Sequence, residues 1–452
     1  MTYRLFLLFC IYLPFQVALN PSQGVDLASG RVFVLILALM WLISGLKNKR
    51  IFMPAKIQTL LIISFLFLSG FSLFWAENLD WGVRKLLFLL SIFPIYFVTA
   101  GLQTAVIPSP AMQRDKLREE SKKTVLDPST SLCSAQDDNF NMIKIIKFLI
   151  WGAGIAGAIG IIQFLLQFII GLDATAALWR NYITPVFLGS AFSQAVNEYP
   201  SWLVNIAGHD YLRAFSTFPD PHMFSFYLGL ILPLAIALYF LLRKNIYLAL
   251  SIIILLADLL TFSRGGYVGL IAGLFFAMLY FAVTKKYNLK ILLALVVFMA
   301  ALFILVVASP IGQRFISSFN TEESSNKGRF ENWNQAVSII ENNPMGVGIG
   351  NYSYEIEPSA DYRKPIYAHN LFLDIAAETG IINAAIFVSL ILFSIKAFIK
   401  KSKDNILWLG GSASLVIFSI HSIFDTPLYS VQVLPLFLII ISLSVINAKE
   451  FN

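Results

Sequence analysis

The sequence predicts an all-α polytopic membrane protein with about 12 spanning helices. Three observations lead there. Hydrophobic residues make up 58% of the 452 and charged residues only 13%, where a soluble globular chain carries about 25% charged. The apolar residues fall into runs near the roughly 20 helical residues that cross a bilayer, and at that length helices satisfy every backbone donor and acceptor in lipid. Between the runs, Lys and Arg alternate from loop to loop in the way that sets membrane topology.

Taken in order, the runs lie near 4–19, 32–46, 57–75, 86–102, 148–170, 223–242, 246–262, 267–283, 291–308, 371–395, 406–424 and 431–446. The first carries Arg4 and an apolar stretch like a signal peptide, but Pro14 interrupts it and no small-residue cleavage site follows, so it reads as a retained helix. With the N-terminus inside, 22 of the 33 Lys and Arg fall on the cytoplasmic side, and both termini are cytoplasmic. The net charge of +7 is thereby used for topology and does not imply nucleic acid as a partner. Cys10 and Cys133 are too isolated to make a disulfide framework or a metal pattern.

The whole chain, 1–452, is expected to form one integral membrane domain with three long loops. Segment 103–147 is charged, Ser- and Pro-bearing and poor in aromatics, which suits a flexible cytoplasmic linker. Segments 171–222 and 309–370 face outward and are rich in aromatics, among them Trp179, Trp202, Phe215, Phe330, Trp333 and Tyr367. Their rings are expected at headgroup depth. Short amphipathic helices are expected in these loops; the clearest covers 328–342, where Phe330, Trp333, Val337 and Ile340 share one face. That face suits a helix lying on the bilayer.

The residues able to carry chemistry cluster on the outward side. All four histidines, His209, His222, His369 and His421, fall there or near an outer helix end. No HExxH, Cys/His cluster or paired-carboxylate spacing is present, so neither a metal nor another cofactor is expected. Gly346, Gly348 and Gly350 follow Pro344 and no strand, so they read as a tight turn rather than a nucleotide loop. Arg213, Arg264 and Arg329 each fit a snorkelling anchor at a helix end. Together they also fit a diphosphate, since guanidinium pairs with phosphate oxygens and keeps its charge. His369 fits a helix cap, a general base or a phosphate ligand. Asp220 and Asp425 are acidic candidates at the same face, and Asp258 is the clearest charge inside a span.

Four pieces, RAFSTFPDPHMFSFYL, TFSRGGYVGL, GRFENWNQAVSIIENNPMGVGIGNY and AHNLFLDIAAETGIIN, resemble the bacterial O-antigen ligase and O-antigen polymerase superfamily, with the likeness strongest over 200–445. The ligase pattern of His, Asn/Ser/Gln, nine residues, Gly, two residues, then Gly/Thr/Tyr is met by His369, Asn370 and Gly380. It departs at Asn383, which tilts the reading from ligase toward polymerase.

The resemblance implies an inverting, metal-independent glycosyltransferase of the C-type membrane fold in the bacterial cytoplasmic membrane. The donor would be a glycan on undecaprenyl diphosphate. The acceptor would be lipid A-core, a growing glycan or a protein. It implies His369, Arg329 and Arg213 as catalytic, with Arg264, Asn370 and Trp333 contacting substrate. The competing expectation is a 12-helix solute transporter, against which the large aromatic outer loops weigh.

Overall fold

The computed structural model describes residues 1–22, 25–49, 51, 53–104, 132–197, 200–206, 208–284, 324–362 and 365–446. The expected span 291–308, the start of the 309–370 loop and most of the 103–147 segment lie outside the described residues.

The described chain is mostly helical. It begins with α1 (Thr2–Tyr12), a ribbon of β1 (Ala18–Ser22) and β2 (Val25–Ala28), and α2 (Ser29–Lys47). Next come α3 (Ile57–Phe71), α4 (Leu79–Ile92), α5 (Pro94–Thr104) and the long α6 (Leu132–Ile170). Three short helices, α7 (Leu172–Leu178), α8 (Thr184–Leu188) and α9 (Ser190–Asn197), lead to a second ribbon, β3 (Leu203–Ile206) and β4 (His209–Leu212). Apolar helices α10 (Pro221–Leu242), α11 (Asn245–Leu259) and α12 (Arg264–Thr284) follow. After the next described segment, α13 (Ser324–Asn342) and α14 (Tyr352–Ile356), come α15 (Leu371–Thr379), α16 (Ile381–Lys401), α17 (Ile406–His421) and α18 (Val433–Ser444).

Seven of these helical stretches are long and apolar enough to cross a membrane, and four shorter apolar helices accompany them, α1, α11, α17 and α18. The two ribbons are small additions to an otherwise helical class.

Burial sorts the helices. Most of α10 and α17 and all of α18 is buried, which fits sequences that are apolar all round rather than striped. α10 packs on α17, α11 and α6, while α12 also packs on α17. Small residues allow these approaches: a Cβ on Gly410 would lie 2.8 Å from the Pro233 carbonyl oxygen of α10. The outer helices expose Leu39, Phe67, Ile162, Phe275 and Leu392, a rim that suits lipid.

One expected span is divided. The run from 371 breaks at Gly380, where φ is +94°, into the nine-residue α15 and the longer α16. A positive φ favours glycine, and a Cβ here would also sit 2.9 Å from the Met345 carbonyl carbon and oxygen. Asp374 and Glu378 therefore belong to a separate short helix. Asn383, where the ligase pattern departs, is fully buried in α16 and donates to Phe65 O, Ser69 Oγ and Thr379 Oγ1. It is a helix-packing residue.

The three glycines after Pro344 make a docking turn. Val347 N and Gly348 N donate to Ala377 O and Glu378 O, 2.9 Å each, satisfying carbonyls at the α15 C-terminus. Trp75 Nε1 donates to Gly346 O at 2.8 Å and Asn351 bonds the backbone of Asn78, so the turn also ties α15 to the segment before α4.

Candidate active site

The site is assembled from four chain segments, each fixed by its own local hydrogen bonds. The first is the strand running out of β4. Gln167 and Gln163, polar residues within α6, hold it: Gln167 accepts from Leu212 N at 2.8 Å, and Gln163 accepts from Phe215 N and Ser216 N. Trp202 stacks on Phe215 at 4.4 Å, and with Trp179 they make a small core of their own. These rings are interior to the folded loop, and the indole N–H groups of Trp179 and Trp202 find the Ser216 and Pro219 carbonyls. The strand delivers Arg213, which is buried; its Nε donates to Thr261 O at 2.6 Å and its Nη1 to Ser201 O at 2.9 Å.

The second segment is the N-terminus of α10. Asp220 caps it, accepting from His222 N and Met223 N at 2.8 and 2.9 Å. This acidic candidate therefore has a structural job. His222 lies with Nε2 3.5 Å from Arg213 Nη1 and Nδ1 3.2 Å from Ser263 Oγ. Arginine only donates, so Nε2 is the acceptor and Nδ1 carries the proton of a neutral ring.

The third segment is the α11–α12 turn. Ser263 Oγ bridges His222 and His421, whose Nε2 is 3.2 Å away, and His421 stacks on Phe226 with ring centroids 3.5 Å apart. Arg264 follows Ser263 directly and opens α12.

The fourth segment carries His369. Its backbone sits at φ +52°, an uncommon conformation for a residue with a Cβ. Asn370 caps α15, its Oδ1 accepting from Phe372 N and Leu373 N at 3.1 and 3.2 Å, so this oxygen is committed to the helix. His369 Nδ1 faces Asp425 Oδ1 at 3.4 Å, and Asp425 Oδ2 lies 3.7 Å from His222 Nδ1. Asp425 thus stands between two histidines, in the turn after α17.

Arg329 projects from α13. Its charge acts on both His369 and Asp425. α13 is held beside α15 by Ala336, which is buried with Tyr352, Ala368 and Ala377, and by Asn332 Nδ2, which donates to Tyr367 O at 3.4 Å. The face packed on α15 therefore runs through Asn332, Ala336, Ile339 and Ile340. Phe330 and Val337 stay exposed, and Trp333 is partly buried edge-on to Phe330. His209 is exposed on β4 and no described contact joins it to the cluster.

The electrostatics follow from this crowding. Burial opposes the charge of Asp425, but the His369 hydrogen bond and the positive charges of His369 and Arg329 outweigh it, so the carboxyl is held well below the usual carboxylate range. Burial likewise disfavours the His369 imidazolium, and the hydrogen bond and charge of Asp425 outweigh it, so its pKa is raised. His369 remains 45% exposed, while Asp425 is 13% exposed. Among the described residues no group of three or more His, Cys, Asp or Glu is arranged to hold a metal ion.

Sequence reasoning singled out Arg213, Arg329, His369 and Asp425, and these lie in or beside this cluster. It missed Ser263, and it noted His222 and His421 only as members of a group of four. A serine between two spans has no spacing signal, since its partners lie 41 and 158 residues away.

Seven described helices long and apolar enough to cross a membrane, with a buried polar cluster among the packed helix ends, fit a polytopic all-α membrane protein. Residues 248–388 match the model of the O-antigen ligase family. The match includes Ser263, Arg264, Arg329, His369 and Asn370, and leaves Arg213, His222, His421 and Asp425 outside. This match over part of the chain supports a glycan-transfer role in polysaccharide biosynthesis. The comparison with curated proteins gave no match.

Proposed function

We propose that this protein transfers a glycan from undecaprenyl diphosphate to an acceptor hydroxyl at the outer face of the bacterial cytoplasmic membrane, with inversion and without a metal. The observation that carries this reading is the convergence of Arg213, Arg329 and the His369–Asp425 pair from separate parts of the chain. A diphosphate leaving group needs fixed positive charge as the anomeric bond breaks, and buried guanidiniums supply it without losing a proton. Arg213 is held by two carbonyls, so it enters the reaction preorganised. Arg264, next to Ser263, is the third candidate for the same anion.

Asp425 takes Nδ1 of His369, which directs Nε2 outward. In this reading Nε2 removes the proton of the acceptor hydroxyl as its oxygen attacks the anomeric carbon. The C–O bond to the diphosphate breaks on the opposite side, and the anion departs against the arginines. Asp425 stabilises the imidazolium that forms. Trp333 and the exposed face of α13 stand beside the entry for the lipid-linked donor.

The test is a purified, lipid-reconstituted protein given an undecaprenyl-diphosphate-linked repeat unit, alone or with lipid A-core. Polymer from donor alone indicates a polymerase, and transfer only to lipid A-core indicates a ligase. Uptake of a solute with no glycan transfer under either condition would overturn the reading in favour of a transporter.

A further inference from the structure

The residues around His369 and Asp425 raise a question of register. The two belong to segments 56 residues apart, His369 has a strained backbone, and their contact is long at 3.4 Å. Something must hold both segments at this separation. Neither side chain does so itself, because Asp425 Oδ1 also accepts from Thr426 N at 2.8 Å and His369 is open on its far side.

The buried face of α15 supplies the connection. Asp374 is 4% exposed, and its Oδ1 accepts from Ala368 N at 2.8 Å, the residue directly before His369. Its Oδ2 accepts from Thr426 Oγ1 in a short hydrogen bond, and Thr426 directly follows Asp425. One carboxylate therefore grips the neighbour of each member of the pair. One turn further along α15, Glu378 accepts from Tyr429 Oη at 3.1 Å, and it is neutralised by Lys85 at 2.6 Å. Residues four apart on α15 thus meet residues three apart in the 425–429 turn. The helix N-terminus adds a backbone bond, Leu371 N to Ser422 O at 2.9 Å.

We infer that Asp374 is the positioning residue that sets the His369–Asp425 separation, acting through Ala368 and Thr426 with the Glu378–Tyr429 contact as a second anchor. It hydrogen-bonds neither reacting group, and its charge joins those of Asp425 and Arg329 in acting on His369, while its two hydrogen bonds act on their placement. Sub-ångström placement matters here, because a 1 Å displacement of a catalytic group can cost about 100-fold in rate. This inference rests on the proposed role of His369 as a base.

The sharpest test is at Thr426, because Thr426→Val keeps shape and burial while removing the donor to Asp374. Glycan transfer is measured in proteoliposomes across pH, with Thr426→Ser and His369→Ala alongside and thermal unfolding recorded for each. Thr426→Val is expected to lower kcat about ten-fold with KM for the lipid-linked donor changed less than about two-fold. The pH limb that reports His369 is expected to move down toward an ordinary imidazole. Thr426→Ser keeps the hydroxyl and is expected to restore both kcat and the limb. A Thr426→Val protein with wild-type kcat and pH profile, beside an inactive His369→Ala, would overturn the positioning role alone. An active His369→Ala would overturn the base assignment and this inference with it. Loss of rate in Thr426→Val with an unmoved pH limb and no rescue by serine would reduce Asp374 to a stability residue and also overturn the proposal.

Discussion

Two carboxylate–cation pairs lie along α15, and they are built differently. Glu378 and Lys85 meet at 2.6 Å with side chains 6% and 7% exposed. Lys85 also lies 4.5 Å from the Tyr429 ring centroid and 5.3 Å from that of Tyr367, and Tyr429 fills the remaining side of Glu378. Asp425 and His369 meet at 3.4 Å, and His369 is nearly half open. The first pair is closed on every side the structure describes, and it joins α4 to α15. The second leaves one imidazole edge free. A saturated pair holds two elements together, whereas a pair with an open side can hand a proton to something else.

Breaking the open pair gives the largest expected effect. His369→Ala should reduce glycan transfer by at least about 100-fold, the scale of general-base catalysis, while its thermal unfolding stays close to wild type. Retained activity in proteoliposomes would remove His369 from the chemistry.

Breaking the closed pair should do the converse. Glu378→Gln keeps an acceptor for Tyr429 but leaves the Lys85 charge buried without its partner. It should cost about 3–5 kcal/mol of stability, read as a lowered unfolding temperature in detergent. Activity per folded molecule should fall far less than in His369→Ala. The double variant Lys85→Met/Glu378→Leu should recover most of the lost stability, since replacing both charges removes the desolvation cost. A Glu378→Gln protein as stable as wild type would erase the contrast between the pairs.

The smaller effects are pH-dependent. The raised pKa of His369 means that the neutral base is lost as pH falls through that raised value, so transfer should decline on the acid side. Asp425→Asn removes the cause of the elevation and should move the decline to lower pH. A rate that falls instead as pH rises would make His369 an imidazolium holding phosphate. For folding, the signs are opposite for the two partners. His369 contributes stability that is full below its ordinary value of 6.5 and fades as pH rises through its raised one. Asp425 contributes stability that is full above its ordinary value of 3.8 and fades as pH falls toward its depressed one. Unfolding temperature should therefore be highest between these two ordinary values and drift down slightly on the alkaline side.

Much of this was legible in the chain because lipid imposes a length and a composition on any helix that crosses it. The runs around α2, α3, α10 and α12 could be placed from hydropathy alone, and the arginines and His369 stood out as polar residues at the ends of such runs. The turn role of Gly346, Gly348 and Gly350 was legible from the preceding Pro344. One reading failed because periodicity does not report a partner. The run from 371 looked continuous because Asp374 and Glu378 are only two charges among apolar residues, and nothing local announced that Gly380 is pinned against Met345. On α13 the large Phe330 and Trp333 stood out in the sequence, whereas the small Ala336 that packs beside α15 did not.

Sequence by itself therefore determined the class, the placement of most described apolar helices and the residue types available at one end of the bundle. Those depend on local composition, which a single segment carries. Only the tertiary structure decided that Asp425 stands between His222 and His369, that Ser263 joins His222 to His421, and that Asp374 grips both halves of the pair. Such contacts span from 41 residues of chain, His222 to Ser263, to the much longer separation of His222 and Asp425, and they exist only once the helices have packed.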